Sequence, residues 1–83
     1  PNPFNPVTTI RFLLPEPGVV ELSVLSLLGE EIARLHHGPA PAGWNAVRWN
    51  GRSANGLPAP SGIYLVRLET EKFQTTRRVL LLK

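Results

Sequence analysis

An all-β antiparallel sandwich is the fold this sequence predicts, and three observations predict it. The first is Trp49-Asn50-Gly51-Arg52-Ser53-Ala54-Asn55-Gly56 followed by Ser61-Gly62-Ile63-Tyr64, which sets two Asn-Gly turn signals between two runs that each carry a large aromatic. Asn-Gly tolerates the positive φ of tight turns and so marks β structure. The second is the alternation of apolar and polar residues along several short runs, the period of a strand rather than of a helix. The third is the recurrence of such runs about every 10–15 residues, with turn-forming residues between them.

The elements follow in order. Pro1-Asn2-Pro3-Phe4-Asn5-Pro6 holds three prolines, which lock φ and remove donors, so it reads as an extended or turning lead-in. Phe4, its one large apolar residue, is expected to plug an end of the core. Residues 8–14 alternate, with Ile10, Phe12 and Leu14 inward and Thr9 and Arg11 outward. Pro15-Glu16-Pro17-Gly18 ends that run in a turn. Residues 19–27 form a second strand, with Val20, Leu22 and Val24 inward and Glu21 and Ser23 outward. Leu28-Gly29-Glu30 is a tight connection in which Gly29 supplies a positive φ. Residues 31–36 form a third strand, and the odd spacing of Ile32 and Leu35 predicts a bulge or an edge position.

Residues 37–43, with Gly38, Pro39, Pro41 and Gly43, read as a loop. Residues 44–49 form a fourth strand with Asn45, Val47 and Trp49 on one face. Residues 50–60 are an Asn-Gly-rich crossover. Residues 62–70 form a fifth strand, with Tyr64, Val66 and Leu68 on one face and Arg67 and Glu69 on the other. Glu71-Lys72 is a turn, and residues 73–83 are the last strand. The best helix candidate, Leu25 to Leu35, is short and broken by Gly29. The fold class is therefore an all-β, antiparallel immunoglobulin-like β-sandwich of about six to seven strands.

Composition bounds the rest. A chain of 83 residues is a single domain, and it buries only roughly 60–65% of its unfolded surface, so its core must be efficient. Its apolar share of 42% is that of a folded chain rather than a disordered one. No cysteine is present, which excludes disulfides and thiolate metal sites. No apolar run approaches the roughly 20 residues of a membrane helix, and the N-terminus has no signal-peptide pattern. The abrupt start in a loop-like segment and the finish at Leu82-Lys83 are expected of a domain cut from a longer protein, its last one. Net charge is +3, from seven Arg and two Lys against six Glu, with no Asp. The basic residues are scattered, and only Arg77-Arg78 are adjacent, which argues against the dense basic stripe of a nucleic-acid partner.

Each polar cluster has a structural reading. His36-His37 are adjacent on a strand and point to opposite faces, so they cannot chelate one ion together; surface histidines explain them. Glu16, Glu30, Glu31, Glu69 and Glu71 lie in turns or at strand ends rather than in a shared cleft, as acid–base catalysis would require. Ser23, Ser26, Ser53 and Ser61 lie in no nucleophile motif. Asn50, Ser53 and Asn55 resemble a calcium loop only superficially, since that loop holds no carboxylate. No catalytic residue, metal site or cofactor is expected. Trp44 and Trp49 have opposite parity, so Trp49 belongs to the core. Trp44 is then either an exposed aromatic for sugar stacking or an interface, or a rim residue covered by residues 37–42, and the covered reading is favoured. Thr75-Thr76-Arg77-Arg78 followed by Val79-Leu80-Leu81-Leu82-Lys83 sets a basic pair beside an apolar end, either a packed terminal strand with Arg gatekeepers or an edge offered to a partner.

The order of motifs resembles a known family. Pro1-Asn2-Pro3-Phe4-Asn5-Pro6 with Thr8-Thr9-Ile10, Leu14-Pro15-x-x-Gly18, Leu28-Gly29-Glu30, Gly43 to Trp49-x-Gly51, Ser61-Gly62-Ile63-Tyr64 and the final Arg-rich strand are similar to the C-terminal sorting domain of the type IX secretion system. They are equally similar to the related immunoglobulin-like domain of flagellar hook-capping proteins. The resemblance covers essentially the whole chain. It departs where the family often has Asp, since Ser26 and Asn50 stand in those turns.

The resemblance implies a non-enzymatic, single C-terminal sorting domain over residues 1–83, which directs a secreted parent protein across the outer membrane to the cell surface. Its implied partners are outer-membrane translocon components, with cleavage and lipopolysaccharide attachment as the implied processing. Gly62 and Tyr64 match its Ser-Gly-Ile/Val-Tyr motif, and Arg77, Arg78 and Lys83 its last basic strand. These five are the candidate partner-binding residues, and truncation of residues 75–83 is the first test the sequence suggests. Two alternatives stand beside this reading. One is a structural or carbohydrate-binding accessory module that uses Trp44, and the other an assembly module of a hook cap.

Overall fold

The alternation seen in the sequence becomes six strands and no helix in the computed structural model, which describes residues 7–83. Phe4 and the Pro/Asn-rich lead-in lie outside the described residues. The strands are β1 (Thr8–Leu14), β2 (Gly18–Leu25), β3 (Glu31–Ala40), β4 (Gly43–Trp49), β5 (Gly62–Glu69) and β6 (Gln74–Leu81). Every pairing is antiparallel. β1 and β4 form one sheet, and the other runs β3-β2-β5-β6. The β1–β2, β3–β4 and β4–β5 connections therefore each change sheet, whereas β2–β3 and β5–β6 are hairpins.

Inward-facing residues of both sheets meet in one core. Ile10, Phe12 and Leu14 of β1 and Trp49 of β4 pack against Val20, Leu22 and Val24 of β2, Tyr64, Val66 and Leu68 of β5, and Leu81 of β6. The parity read from the alternation is the parity observed in β1 and β5, and in β2 except that Ser23, expected outward, is buried. Two aromatics organise the centre. Trp49 is 1% exposed and meets Tyr64 edge-on, with ring centroids 5.2 Å apart and planes at 73°. Each also satisfies its polar atom locally. Trp49 Nε1 donates to the Arg52 carbonyl at 2.9 Å, and the Tyr64 hydroxyl donates to the Pro60 carbonyl at 2.6 Å. The second contact has the form of a tyrosine corner, a hydroxyl tied to backbone just upstream of its strand. Tyr64→Phe is expected to cost about 1–2 kcal/mol, read as a lower denaturation midpoint at an unchanged m-value.

The connections explain the glycines. Gly29 has φ +88° in the β2–β3 turn, where its N–H donates to the Ser26 carbonyl at 2.9 Å. The Ser26 hydroxyl accepts the N–H groups of Leu28 and Glu30, both at 3.2 Å, and so closes the turn without an aspartate. In the long β4–β5 segment Gly51 and Gly56 both have positive φ, at +74° and +82°. That segment is pinned to β3 by the Ala54 N–H on the Ile32 carbonyl, and closed on itself by the Ala59 N–H on the Gly51 carbonyl. Ala59 is thereby buried in the core.

Three expectations are corrected. The third strand does not stop at His36 but continues to Ala40, so 37–40 is strand and only Pro41-Ala42 connects it to β4. The apparent loop residues are tolerated because, among the described residues, β3 pairs with β2 alone, and an edge strand can hold Pro39 with its missing N–H on the open side. The second strand ends at Leu25 rather than residue 27, and Leu27 and Leu28 are exposed in the turn. The last strand spans Gln74–Leu81, not 73–83. The odd spacing of Ile32 and Leu35, by contrast, has the expected cause. The β2–β3 register slips between Leu22/Ser23 and between Val24/Leu25, and the residues without a partner there are Leu35 and Ile32. Both turn inward and pack against the core.

Candidate partner-binding surface

The β5–β6 hairpin carries all five residues expected to meet a partner, but it does not bring them together. Gly62 pairs with Leu81 at one end, while Arg77 and Arg78 pair with Val66 and Leu65 in mid-hairpin. Tyr64 is buried and its hydroxyl is engaged, so it holds the fold rather than the surface. Lys83 follows β6, and its N–H donates to the Ser61 hydroxyl at 3.1 Å. Among the described residues β6 is an edge strand, paired with β5. Its apolar end is not uniform, because Leu81 is fully buried, Val79 is half-buried, and Leu80 and Leu82 are exposed.

The two arginines face different ways. Arg78 lies opposite Leu65 on the outer face and is exposed. Arg77 has inward parity but stands at the rim, where Nη2 donates to the Arg11 carbonyl of β1 at 2.6 Å. One side chain thus ties the edges of the two sheets.

Charge is segregated across the molecule. On the outer face of the large sheet, Arg34 lies 3.3 Å from Glu21 and 3.7 Å from Glu31, and His37 Nδ1 lies 3.5 Å from Glu21. Arg67 Nε lies 3.0 Å from Glu69 Oε1 as an ion-pair contact without hydrogen-bond alignment. The buried Ser23 hydroxyl donates to Glu31 at 3.2 Å. At the turn end Lys72 contacts Glu16, whose hydrogen bond and charge hold the Lys72 amine above its ordinary range. All these pairs are solvent-screened and add little stability. No glutamate occurs in β1, β4 or β6, which carry Arg11, Arg48, Arg77 and Arg78. None of those four arginines is paired with a carboxylate among the described residues.

The histidines have separate partners. His36 Nε2 lies 3.2 Å from the Gly38 and Pro39 carbonyls, and His37 faces Glu21. Among the described residues no group of three potential ligands could hold a metal ion. In the β4–β5 segment Asn50 Oδ1 accepts the Arg52 N–H at 3.1 Å, and the Ser53 hydroxyl donates to Asn55 Oδ1, which is turn chemistry.

Trp44 is a correction to the covered reading. It is 72% exposed. Residues 37–40, expected to lie over it, belong instead to β3 in the other sheet. Trp44 pairs across strands with Leu13, also exposed, on the outer face of the small sheet. The other aromatics of β1 and β4, Phe12 and Trp49, are buried.

Two concavities flank this face. One of about 290 Å³ lies between the β1–β2 and β5–β6 turns, walled by Leu14, Pro15, Pro17 and Phe73 and clasped by Lys72 and Glu16. The other, about 260 Å³, is a groove between β1 and β6, with Leu13, Trp44, Phe73 and Arg77 among its lining residues. Neither was visible in the sequence, because nothing local reveals that β1 and β6 are neighbours. The outward parity of Leu13 and Trp44 was the one available signal. Among the described residues no helix is long and apolar enough to cross a membrane.

A family model described as the FlgD Ig-like domain matches residues 7–73, from the residue before β1 through the β5–β6 turn. No curated protein matches the sequence.

Proposed function

The chain belongs to the FlgD Ig-like domain family, and from that premise we propose that it is a non-catalytic sorting module at the C-terminal end of a larger protein. It directs that protein across the outer membrane by the type IX system and holds it at the cell surface. Its partners on this reading are outer-membrane translocon components, and lipopolysaccharide is the attachment point after cleavage. The observation that carries the reading is the β5–β6 hairpin, whose edge strand lies beyond the matched residues and exposes Arg78 with Leu80 and Leu82. An edge strand with basic and apolar side chains is a recognition element that a translocon can grip by backbone and side chain together.

The test fuses residues 1–83 to the C-terminus of a signal-peptide-bearing fluorescent protein, in hosts with and without a working type IX translocon. A host sorting domain on the same reporter serves as positive control. Translocon-dependent surface fluorescence is the expected result, lost in Arg78→Glu/Lys83→Glu although that variant keeps its thermal unfolding transition. Periplasmic retention in both hosts, with the control delivered, overturns the reading. The family match favours one second reading, an assembly module of a hook cap; the fusion would then stay periplasmic and the parent protein would locate to the hook.

A further inference from the structure

Among the described residues the small sheet has two strands, so β1 pairs with β4 and its other edge has no partner strand. The Arg77–Arg11 contact shows which backbone groups lie there. Arg77 reaches the Arg11 carbonyl from the β6 side, so that carbonyl points away from β4. In an antiparallel ladder, both backbone groups of a residue point the same way and the direction alternates along the strand. Thr9, Arg11 and Leu13 therefore present their N–H and C=O groups to the open side. Beside that edge lies the groove of about 260 Å³, floored by Ile10, Phe12, Leu22, Val66, Leu68 and Phe73. The surrounding charge is of one sign: Arg11 and Arg48 are exposed on the outer face, Arg77 stands at the far rim, and none has a carboxylate partner among the described residues. The nearest ion pair, Lys72 with Glu16, closes the turn end.

We propose that this edge takes an extended acidic peptide from another protein as a third strand along β1. Strand addition supplies main-chain hydrogen bonds, and the alternation of the added strand sets its sequence. One set of its side chains covers the groove and must be apolar. The other set lies on the outer face beside Arg11, Leu13 and Trp44, where the unpaired guanidinium groups favour carboxylates. The ligand is thus a segment of alternating apolar and acidic residues. As it docks, one of its N–H groups replaces Arg77 on the Arg11 carbonyl, and the freed guanidinium turns to a carboxylate of the peptide. A second copy of this chain fits poorly, since β1 against β1 would set Arg11 beside Arg11. The proposal does not rest on the sorting reading.

The experiment uses the 83-residue chain and a capped synthetic peptide of about nine residues alternating valine and glutamate, long enough to span β1. Two further versions carry N-methyl groups on alternate residues, one version in each frame. The unmodified peptide is expected to bind and to shift the amide resonances of Thr9, Arg11 and Leu13. One N-methyl frame is expected to bind at least about tenfold more weakly than the other, because only one removes the donors facing β1. Arg11→Glu/Arg48→Glu is expected to weaken binding by a similar factor while the thermal transition is unchanged. Absence of binding at ~1 mM peptide overturns the proposal. So does equal affinity of the two N-methyl frames, which would mean charge attraction without strand pairing. Binding of polygalacturonate but not of the peptide would assign the surface to an anionic glycan and overturn it as well.

Discussion

Trp49→Ala is expected to lower the unfolding free energy by about 3–5 kcal/mol, the range for a large core aromatic truncated in place. Trp49 is almost wholly buried, packs on Tyr64 at 5.2 Å, and gives its indole N–H to the Arg52 carbonyl. The substitution removes three things together: transfer free energy, an edge-to-face contact, and the satisfied carbonyl that anchors the start of the β4–β5 segment. A domain of this size has roughly 5 kcal/mol in total, so the variant should be partly unfolded at 37 °C. The measurement is a denaturant titration followed by tryptophan fluorescence and circular dichroism, with Trp44→Ala as control. Trp44 is exposed on the opposite face of the same strand, and its removal should change stability by no more than about 0.5 kcal/mol. Equal effects of the two substitutions would mean that the strand parity is wrong.

Deletion of residues 74–83 is expected to abolish the cooperative unfolding transition altogether. It removes β6, and with it the buried Leu81 and the half-buried Val79 that pack on the core. It also strips β5 of its neighbour, leaving unpaired backbone groups from Gly62 to Glu69 beside exposed apolar side chains. The lost burial alone, about 2–5 kcal/mol for the leucine, is comparable with the whole stability of a domain this small. A thermal melt by circular dichroism checks the result, and a folded truncated chain would contradict it. The same reasoning governs how sorting must be tested. Truncation of residues 75–83 confounds recognition with folding, because the last strand is both surface and core. Arg78 and Lys83, which are exposed, can be reversed without touching Leu81.

Much of the architecture was legible in the chain because short-range rules produced it. Alternation placed Ile10, Phe12 and Leu14 inward, and the irregular spacing of Ile32 and Leu35 marked the two bulges of β3. Gly29, Gly51 and Gly56 stand where the backbone needs positive φ. What failed was the reading of residues 37–40. Gly38 and Pro39 carry loop propensities, but an edge position cancels the penalty on proline, and edge position is a property of the sheet rather than of the segment. The covering of Trp44 failed with it, since the residues expected to cover it went to the other sheet. Gly62 and Tyr64 were picked out with Arg77, Arg78 and Lys83 by resemblance, yet a motif cannot separate residues that build a corner from residues that face a partner.

By itself, then, the sequence determined the all-β class, the six strands, the side-chain parity of most of β1, β2, β4 and β5, and the chemistry of the turns. These depend on φ preferences and on a two-residue period, both local. Only the tertiary structure decided which edges stay open among the described residues, that β1 and β6 line one groove, and that Arg77 bridges them while Arg11 and Arg48 have no carboxylate partner among the described residues. Those facts depend on which strands pair. Pairing minimises exposed apolar area and unpaired backbone over the whole chain at once, and no short segment records the outcome.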